Sequence, residues 1–217
     1  MNIEKLRKIA GREEIDYQFL LSVLSEYAHP RDKISSWLRA GDLIRVKKGL
    51  YVFGKDSALH PYSKEVIANL IYGPSAISKS YALSYYGMIP ERVTQVTSVT
   101  NKRNKSFNTP IGFFSYQYLN NNKFSIGIQL MQGSAGSSYL IASPEKALCD
   151  HIHLTDKMIK LQGVEDLKSY LLEDLRIDEN FFGSFELTLL SEIAAAYKDS
   201  RLNFLLKFIK QWKQDNA

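Results

Sequence analysis

The hydrophobic positions of the first forty residues recur at helical spacing. Ile3, Leu6 and Ile9 lie three residues apart, which predicts a first helix. Asp16 can cap a second helix, and a third helix is predicted over Pro30–Ala40, where proline occupies the first turn. The N-terminal part of the chain is therefore predicted to be a compact three-helix unit.

Residues 41–54 change to an alternating pattern of apolar and polar positions. This pattern predicts two short antiparallel strands joined by a tight turn at residues 47–49. Three helices followed by a two-stranded hairpin is the order of a winged helix-turn-helix, which we assign to residues 1–56. Its core is predicted to contain Leu20, Leu24, Ile34, Trp37, Leu38, Ile44 and Val52.

Residues 57–217 are predicted to form a second, mixed domain. Two helices come first, and residues 93–142 then alternate like strands, which favours a small and mostly antiparallel sheet. The rest of the chain is predicted to be helical over residues 144–154, 164–172, 179–197 and 202–212. The predicted fold class is thus α+β, with an N-terminal winged helix-turn-helix and a helical C-terminal part.

The N-terminal part of the chain is basic and the C-terminal part is mildly acidic. The 217 residues hold 28 Lys+Arg and 23 Asp+Glu, a net charge of +5. Residues 1–55 and 56–125 each carry +4, whereas residues 126–217 carry −3. Such asymmetry suggests that the N-terminal part binds a polyanion. No apolar run reaches the length of a membrane span, no secretory signal is evident, and Cys149 has no partner for a disulfide, so a cytoplasmic location is expected.

The residue types that carry catalysis or bind metals do not form a recognisable motif. Asp150, His151 and His153 follow Cys149, but their spacing spreads them around a helix instead of along one face. The glycine- and serine-rich stretch 133–138 lacks the lysine of a phosphate-binding loop. We therefore predict no catalytic residue, no metal and no cofactor.

Basic and small polar residues are concentrated where a winged helix-turn-helix meets DNA. The predicted recognition helix turns Arg31, Lys33, Ser35, Ser36 and Arg39 outward. The predicted wing carries Arg45, Lys47 and Lys48. A possible secondary contact with nucleic acid comes from a polar turn in the second domain, with Lys102, Arg103 and Lys105. An ordinary polar hairpin loop is the favoured interpretation of the same turn.

Four phrases occur along the chain in this order: GDLIRVKKGLYVF, SAISKSYALSYYGMIPERVTQVTSVTNKR, TPIGFFSYQYL and IASPEKALCDHIHL. As an ordered set they resemble the AbiEi family of antitoxins from type IV toxin–antitoxin systems, which also act in abortive infection as phage defence. The resemblance spans roughly residues 15–155. The long lead over residues 1–14 departs from the family pattern.

The resemblance implies a bipartite protein. The winged domain would repress transcription by binding promoter DNA through Pro30–Ala40 and residues 46–51. The larger domain would counter a nucleotidyltransferase-like toxin without requiring a stable complex with it. The phrase at residues 142–148 has no assigned role, and it also reads as a well-capped helix start.

Two alternatives remain open from the sequence. One is a nucleic-acid-modifying enzyme that uses the winged unit only for targeting; against it, Glu91 is the only acidic residue in residues 75–142, too few for a metal-dependent site there. The other is a plain ligand-sensing transcription factor, with an effector pocket in the second domain.

Overall fold

The computed structural model describes residues 1–133, 136–155 and 161–216. The helices are α1 Ile3–Ala10, α2 Tyr17–Val23, α3 Pro30–Ala40, α4 Lys64–Ile71, α5 Lys79–Tyr85, α6 Asn121–Phe124, α7 Pro144–Leu154, α8 Val164–Ser169, α9 Asn180–Ser184, α10 Leu187–Tyr197 and α11 Ser200–Asp215. The strands are β1 Glu14–Asp16, β2 Leu43–Lys47, β3 Leu50–Phe53, β4 Ser75–Ile77, β5 Val96–Thr100, β6 Lys105–Thr109, β7 Gly112–Tyr118, β8 Ile128–Gln132 and β9 Ser138–Ala142. The fold is α+β, with a small antiparallel sheet, a larger mixed sheet and a helical C-terminal part.

The N-terminal unit contains the three predicted helices and one strand more than the sequence predicted. The sheet order is β1-β3-β2, and both pairs are antiparallel. Strand β1 has only three residues, too few for an alternating pattern to show. The predicted cap is confirmed, because the Asp16 carboxylate accepts the Phe19 N–H at 2.7 Å. Pro30 lies in the first turn of α3, and Gly41 ends that helix at φ +79°.

Strand β3 is buried on both of its faces. Tyr51 and Phe53 pack into the core made by α1, α2 and α3. Leu50 and Val52 point the other way, into the core of the second part of the chain. The prediction that Val52 belongs to the core of the helices was therefore wrong, as was that for Ile44, which packs against the same second core. A strand that is buried on both faces has apolar residues at every position. The sequence of β3 therefore does not indicate which of the two cores each side chain enters.

The segment between the two parts is fixed to the N-terminal unit by two buried carboxylates. Glu13 Oε1 accepts the backbone N–H groups of Leu59 at 3.2 Å and His60 at 2.9 Å. Glu14 Oε1 accepts the N–H of Ser63 at 2.8 Å, and burial raises the pKa of the Glu14 carboxyl. The connection is thus held by charge-assisted hydrogen bonds on both sides of the proline at position 61.

The larger sheet has the order β6-β7-β5-β4-β9-β8. Two of its neighbouring pairs are parallel, β5 with β7 and β4 with β9, while the other three are antiparallel. The predicted sheet was mostly antiparallel, which holds for three of its five pairs, but the stretch predicted as a polar turn after β5 contains the edge strand β6. Strand β6 folds back on β7, and β5 pairs with β7 on its other side. The three-residue strand β4 was also missed, although it lies in the middle of the sheet.

The helices after the sheet differ from the predicted ones at two places. The helix predicted over residues 164–172 is α8, continued by a π-helical turn over Tyr170–Asp174. The single helix predicted over residues 179–197 is interrupted between α9 and α10, because Phe185 is extended (φ −63°, ψ 133°) and buried in the core. No helix among the described residues is both long and apolar enough to cross a membrane.

Candidate nucleic-acid interface

Helix α3 has one face in the core and one face in solvent. Ile34 and Trp37 are buried, which fixes the rotation of the helix. Lys33 is partly buried, with its Nζ 5.3 Å from the centre of the Trp37 ring. The exposed face of α3 carries the other four residues predicted there: Arg31, Ser35, Ser36 and Arg39. Helix α3 thus presents two exposed arginines and two hydroxyls to solvent.

A basic cleft separates the start of α3 from the β2–β3 hairpin. Its volume is about 740 Å³, and its lining includes Arg31 from the helix and Arg45 and Lys48 from the hairpin. Arg31 Nε donates a hydrogen bond to the Tyr17 hydroxyl at 3.2 Å, which holds the guanidinium against the cleft wall. One carboxylate, Asp16, also lines the cleft, but it is engaged as the cap of α2. Three cations therefore face one occupied acid, so the cleft suits an anion.

Lys47 does not join this cleft. Its ammonium group donates to the backbone carbonyl of Ile71 on α4, and the side chain is partly buried. Burial lowers the pKa of Lys47, and the nearby positive charge of Lys105 lowers it further. The structure therefore places Lys47 apart from the cleft, where its side chain joins the hairpin to the second part of the chain.

Two residues of the second predicted basic group, Lys102 and Arg103, line a surface depression of about 790 Å³. Lys102 Nζ donates to the Gly73 carbonyl at 2.5 Å and lies 5.7 Å from the centre of the Tyr72 ring. Lys105 lies 5.5 Å from the same ring. Arg103 is exposed at the rim, and its backbone carbonyl accepts a hydrogen bond from the Tyr72 hydroxyl at 3.3 Å. The depression combines cations with aromatic faces, a composition that suits phosphates and bases.

The two basic groups adjoin each other. Lys47 links them, because its ammonium contacts the end of α4 and is close enough to Lys105 for the two charges to interact. In the β2–β3 turn, Lys47 thus contacts Ile71, the neighbour of Tyr72 in the depression, while Lys48 lines the cleft. The cations that line the two surfaces come from three segments of the chain: helix α3, the β2–β3 hairpin and the turn after β5.

The histidines and acids of α7 belong to a buried polar network instead. Lys146 Nζ and Asp150 Oδ1 form a fully buried ion pair at 3.1 Å. The Tyr197 hydroxyl donates to the same carboxylate, and Ser78 Oγ donates to its other oxygen at 2.6 Å. His153 Nδ1 lies 2.8 Å from Oδ2 of Asp199, the N-cap residue of α11. The network joins α7 to α5, α10 and the start of α11, so its role here is packing.

The phrase at residues 142–148 acquires a structural account from this network. Ser143 caps α7 by accepting the Lys146 N–H at 3.2 Å. Glu145 is buried and accepts the backbone N–H of Glu186 at 2.9 Å, which begins α10. The i, i+4 spacing of Lys146 and Asp150 was the available signal for the ion pair, and sequence reasoning did not use it.

Groups of three or more metal-binding side chains are absent among the residues that the structure describes. The stretch 133–138 lies partly outside those residues, since positions 134 and 135 are not described. No protein-family model matches the chain, and no curated protein sequence matches it.

Proposed function

We propose that the protein is a DNA-binding transcriptional regulator that recognises promoter DNA through a winged helix-turn-helix. The order α1-β1-α2-α3-β2-β3 supports this proposal, since α3 would be the recognition helix and β2–β3 the wing. The observation that carries it is the basic cleft between those two elements. Arg31, Arg45 and Lys48 converge there from different parts of the sequence.

The exposed side chains divide by the contacts they can make. Arg39 and Arg31 on α3 are long enough to reach the base edges of a major groove, where a bidentate arginine–guanine contact discriminates by about 1–3 kcal/mol. Arg45 and Lys48 on the hairpin are placed for phosphates, which give affinity without sequence information. Lys102, Arg103 and Lys105 would extend the phosphate contacts beyond the hairpin.

A titration of labelled DNA tests this function. Fluorescence anisotropy would compare the DNA upstream of the protein's own gene with a shuffled sequence of the same length. We expect Arg39→Ala to reduce the preference for the upstream DNA by about fivefold or more while leaving binding to shuffled DNA nearly unchanged. The matched control is Arg92→Ala, which removes an exposed arginine outside the proposed interface. The neighbouring carboxylate of Glu91 pairs with Arg176 and not with Arg92. Equal binding of both DNAs by the unaltered protein would refute sequence-specific recognition.

The antitoxin role is the second half of the proposal, and it rests on the resemblance to the AbiEi family. The second part of the chain would counter a nucleotidyltransferase-like toxin encoded by a neighbouring gene. Co-expression with that gene, with growth as the readout, tests this role. Failure to restore growth, with DNA binding intact, would remove the antitoxin role and leave the regulator.

A ligand-sensing regulator without antitoxin activity is the second candidate function. It is favoured by a cleft of about 640 Å³ at the junction of the two parts. Ile44, Phe53 and Tyr62 give this cleft an apolar wall, and Lys55 and Lys64 line it as well. Restored growth in the co-expression test would argue against this candidate.

A further inference from the structure

One edge of the larger sheet is open and uncharged. Strand β8, Ile128–Gln132, is the last strand of the sheet and pairs with β9 on one side only. Its sequence, IQLMQ, contains neither charge nor proline, and the Leu130 side chain is 64% exposed. The opposite edge, β6, begins with Lys105 and is followed by Pro110, both of which discourage pairing with another strand. The β8 edge has no such protection.

The hydrogen-bonding phase of β8 shows which backbone groups are free. Leu140 on β9 pairs with Leu130, but its backbone N–H and C=O both bond the side-chain amide of Asn69, at 2.5 and 3.5 Å. Leu130 is therefore in a non-hydrogen-bonded pair, and its own N–H and C=O point to the open edge. By the same alternation, those of Ile128 and Gln132 point outward too.

The flanking residues confirm this phase. Gly127 accepts the Ser143 N–H at 2.7 Å, and the Gly133 N–H donates to Ser137 at 2.7 Å. The backbone groups of these odd-numbered positions form hydrogen bonds on the β9 side. The N–H and C=O groups of the even-numbered positions between them therefore point to the open edge. Strand β8 thus offers a regular row of donors and acceptors to an incoming antiparallel strand.

We propose that this edge pairs with the same edge of a second copy of the chain. An antiparallel pair centred on Leu130 sets that residue against its own copy and Ile128 against the copy's Gln132, with about six backbone hydrogen bonds. The strand carries no charge that would repel its copy across the two-fold axis, and the exposed leucine gains an apolar partner. The two six-stranded sheets then form one continuous sheet through an isologous interface.

The interface is small, so the dimer is expected to be weak. A five-residue strand pair falls well below standard interface size, which suggests a dissociation constant on the order of 100 µM. Sedimentation velocity of the full chain from about 10 µM to about 1 mM would follow the shift from monomer to dimer across that range. A protein that remains monomeric throughout this range overturns the proposal.

Two variants at one position separate the strand edge from other contacts. Leu130→Lys places two like charges opposite each other and is expected to weaken self-association at least tenfold. Leu130→Pro removes an outward N–H without breaking an internal ladder bond, and the same loss of dimer is expected. The matched control, Leu59→Lys, changes a leucine that is 68% exposed on the connecting segment and should leave the dimer unchanged.

Thermal unfolding of each variant confirms that it is folded. If Leu130→Lys does not fold, Leu130→Pro provides the test. If Leu130→Pro does not fold, Leu130→Lys provides it. A dimer that persists in the folded variant overturns the assignment to β8, and so does one that the control weakens equally.

Discussion

Lys47 and Lys48 are neighbours in one turn, yet the structure gives them different roles. Lys48 lines the basic cleft beside α3, whereas Lys47 bonds the Ile71 carbonyl on α4. We expect Lys48→Ala to reduce the salt dependence of DNA binding and Lys47→Ala to leave it unchanged. Each phosphate contact contributes about 0.9 to the slope of log K against log salt concentration. Arg45 and Lys48, the two residues of the cleft assigned to phosphates, would together contribute about −1.8 to the slope, and removal of Lys48 should leave about −0.9 of it.

The same slopes set the size of the measured effect. Between 50 and 200 mM salt, one phosphate contact changes affinity by about 3.5-fold, which anisotropy titrations at four salt concentrations resolve easily. Lys47→Ala should instead lower the free energy of unfolding by about 1 kcal/mol, because it removes a hydrogen bond between the hairpin and α4. Urea unfolding gives that second readout. Lys207→Ala, an exposed lysine of α11, is the matched control in both assays.

The interpretation makes opposite predictions for two adjacent residues. A flattened slope in the Lys47 variant, equal to that in the Lys48 variant, would show that the turn contacts DNA as a whole. An unchanged slope in the Lys48 variant would remove the cleft from the interface.

Three further predictions follow from burial and packing. Burial lowers the pKa of His151 to about 4. The contribution of the neutral imidazole to the free energy of unfolding is therefore fully present above pH 6.5 and is lost as the pH falls toward 4. The free energy of unfolding, measured in urea, should decrease by up to about 3 kcal/mol over that interval. This decrease should be absent in His151→Gln. Gly54→Ala would place a methyl group 1.8 Å from a backbone oxygen at the end of α3 and should cost at least about 3 kcal/mol, whereas Gly163→Ala meets nothing within 4 Å and should be tolerated. An isolated fragment 1–60 should not fold cooperatively, because it leaves Val52 and its neighbours on β3 without cover; a sharp thermal transition of the fragment would contradict this.

The sequence predicted local structure well where caps and periodicity act within one segment. Helix α3 was predicted with the bounds that the structure gives it, because proline begins it, glycine ends it and its apolar face is regular. The hairpin after it was predicted for similar reasons. Strands β1 and β4 were missed, since three residues cannot display a period.

Long-range relations were the part that the sequence could not supply. The parallel pairing of β5 with β7 depends on which edges are left open after the chain has folded, and no local pattern records this. The same holds for the candidate interface. Cations were predicted on both α3 and the hairpin, but nothing in the sequence distinguished Lys48 in the cleft from Lys47 against α4.

The buried carboxylates of Glu13 and Glu14 have a consequence for how two basic surfaces can act on one ligand. Flexible tethers let two surfaces search separately, and the tether then loses conformational entropy when both bind. Here the connecting backbone is already fixed at Leu59, His60 and Ser63, so that entropy is lost when the chain folds. The connection therefore keeps the cleft and the depression at a fixed separation, and a rigid polyanion that bound both would have to match that separation.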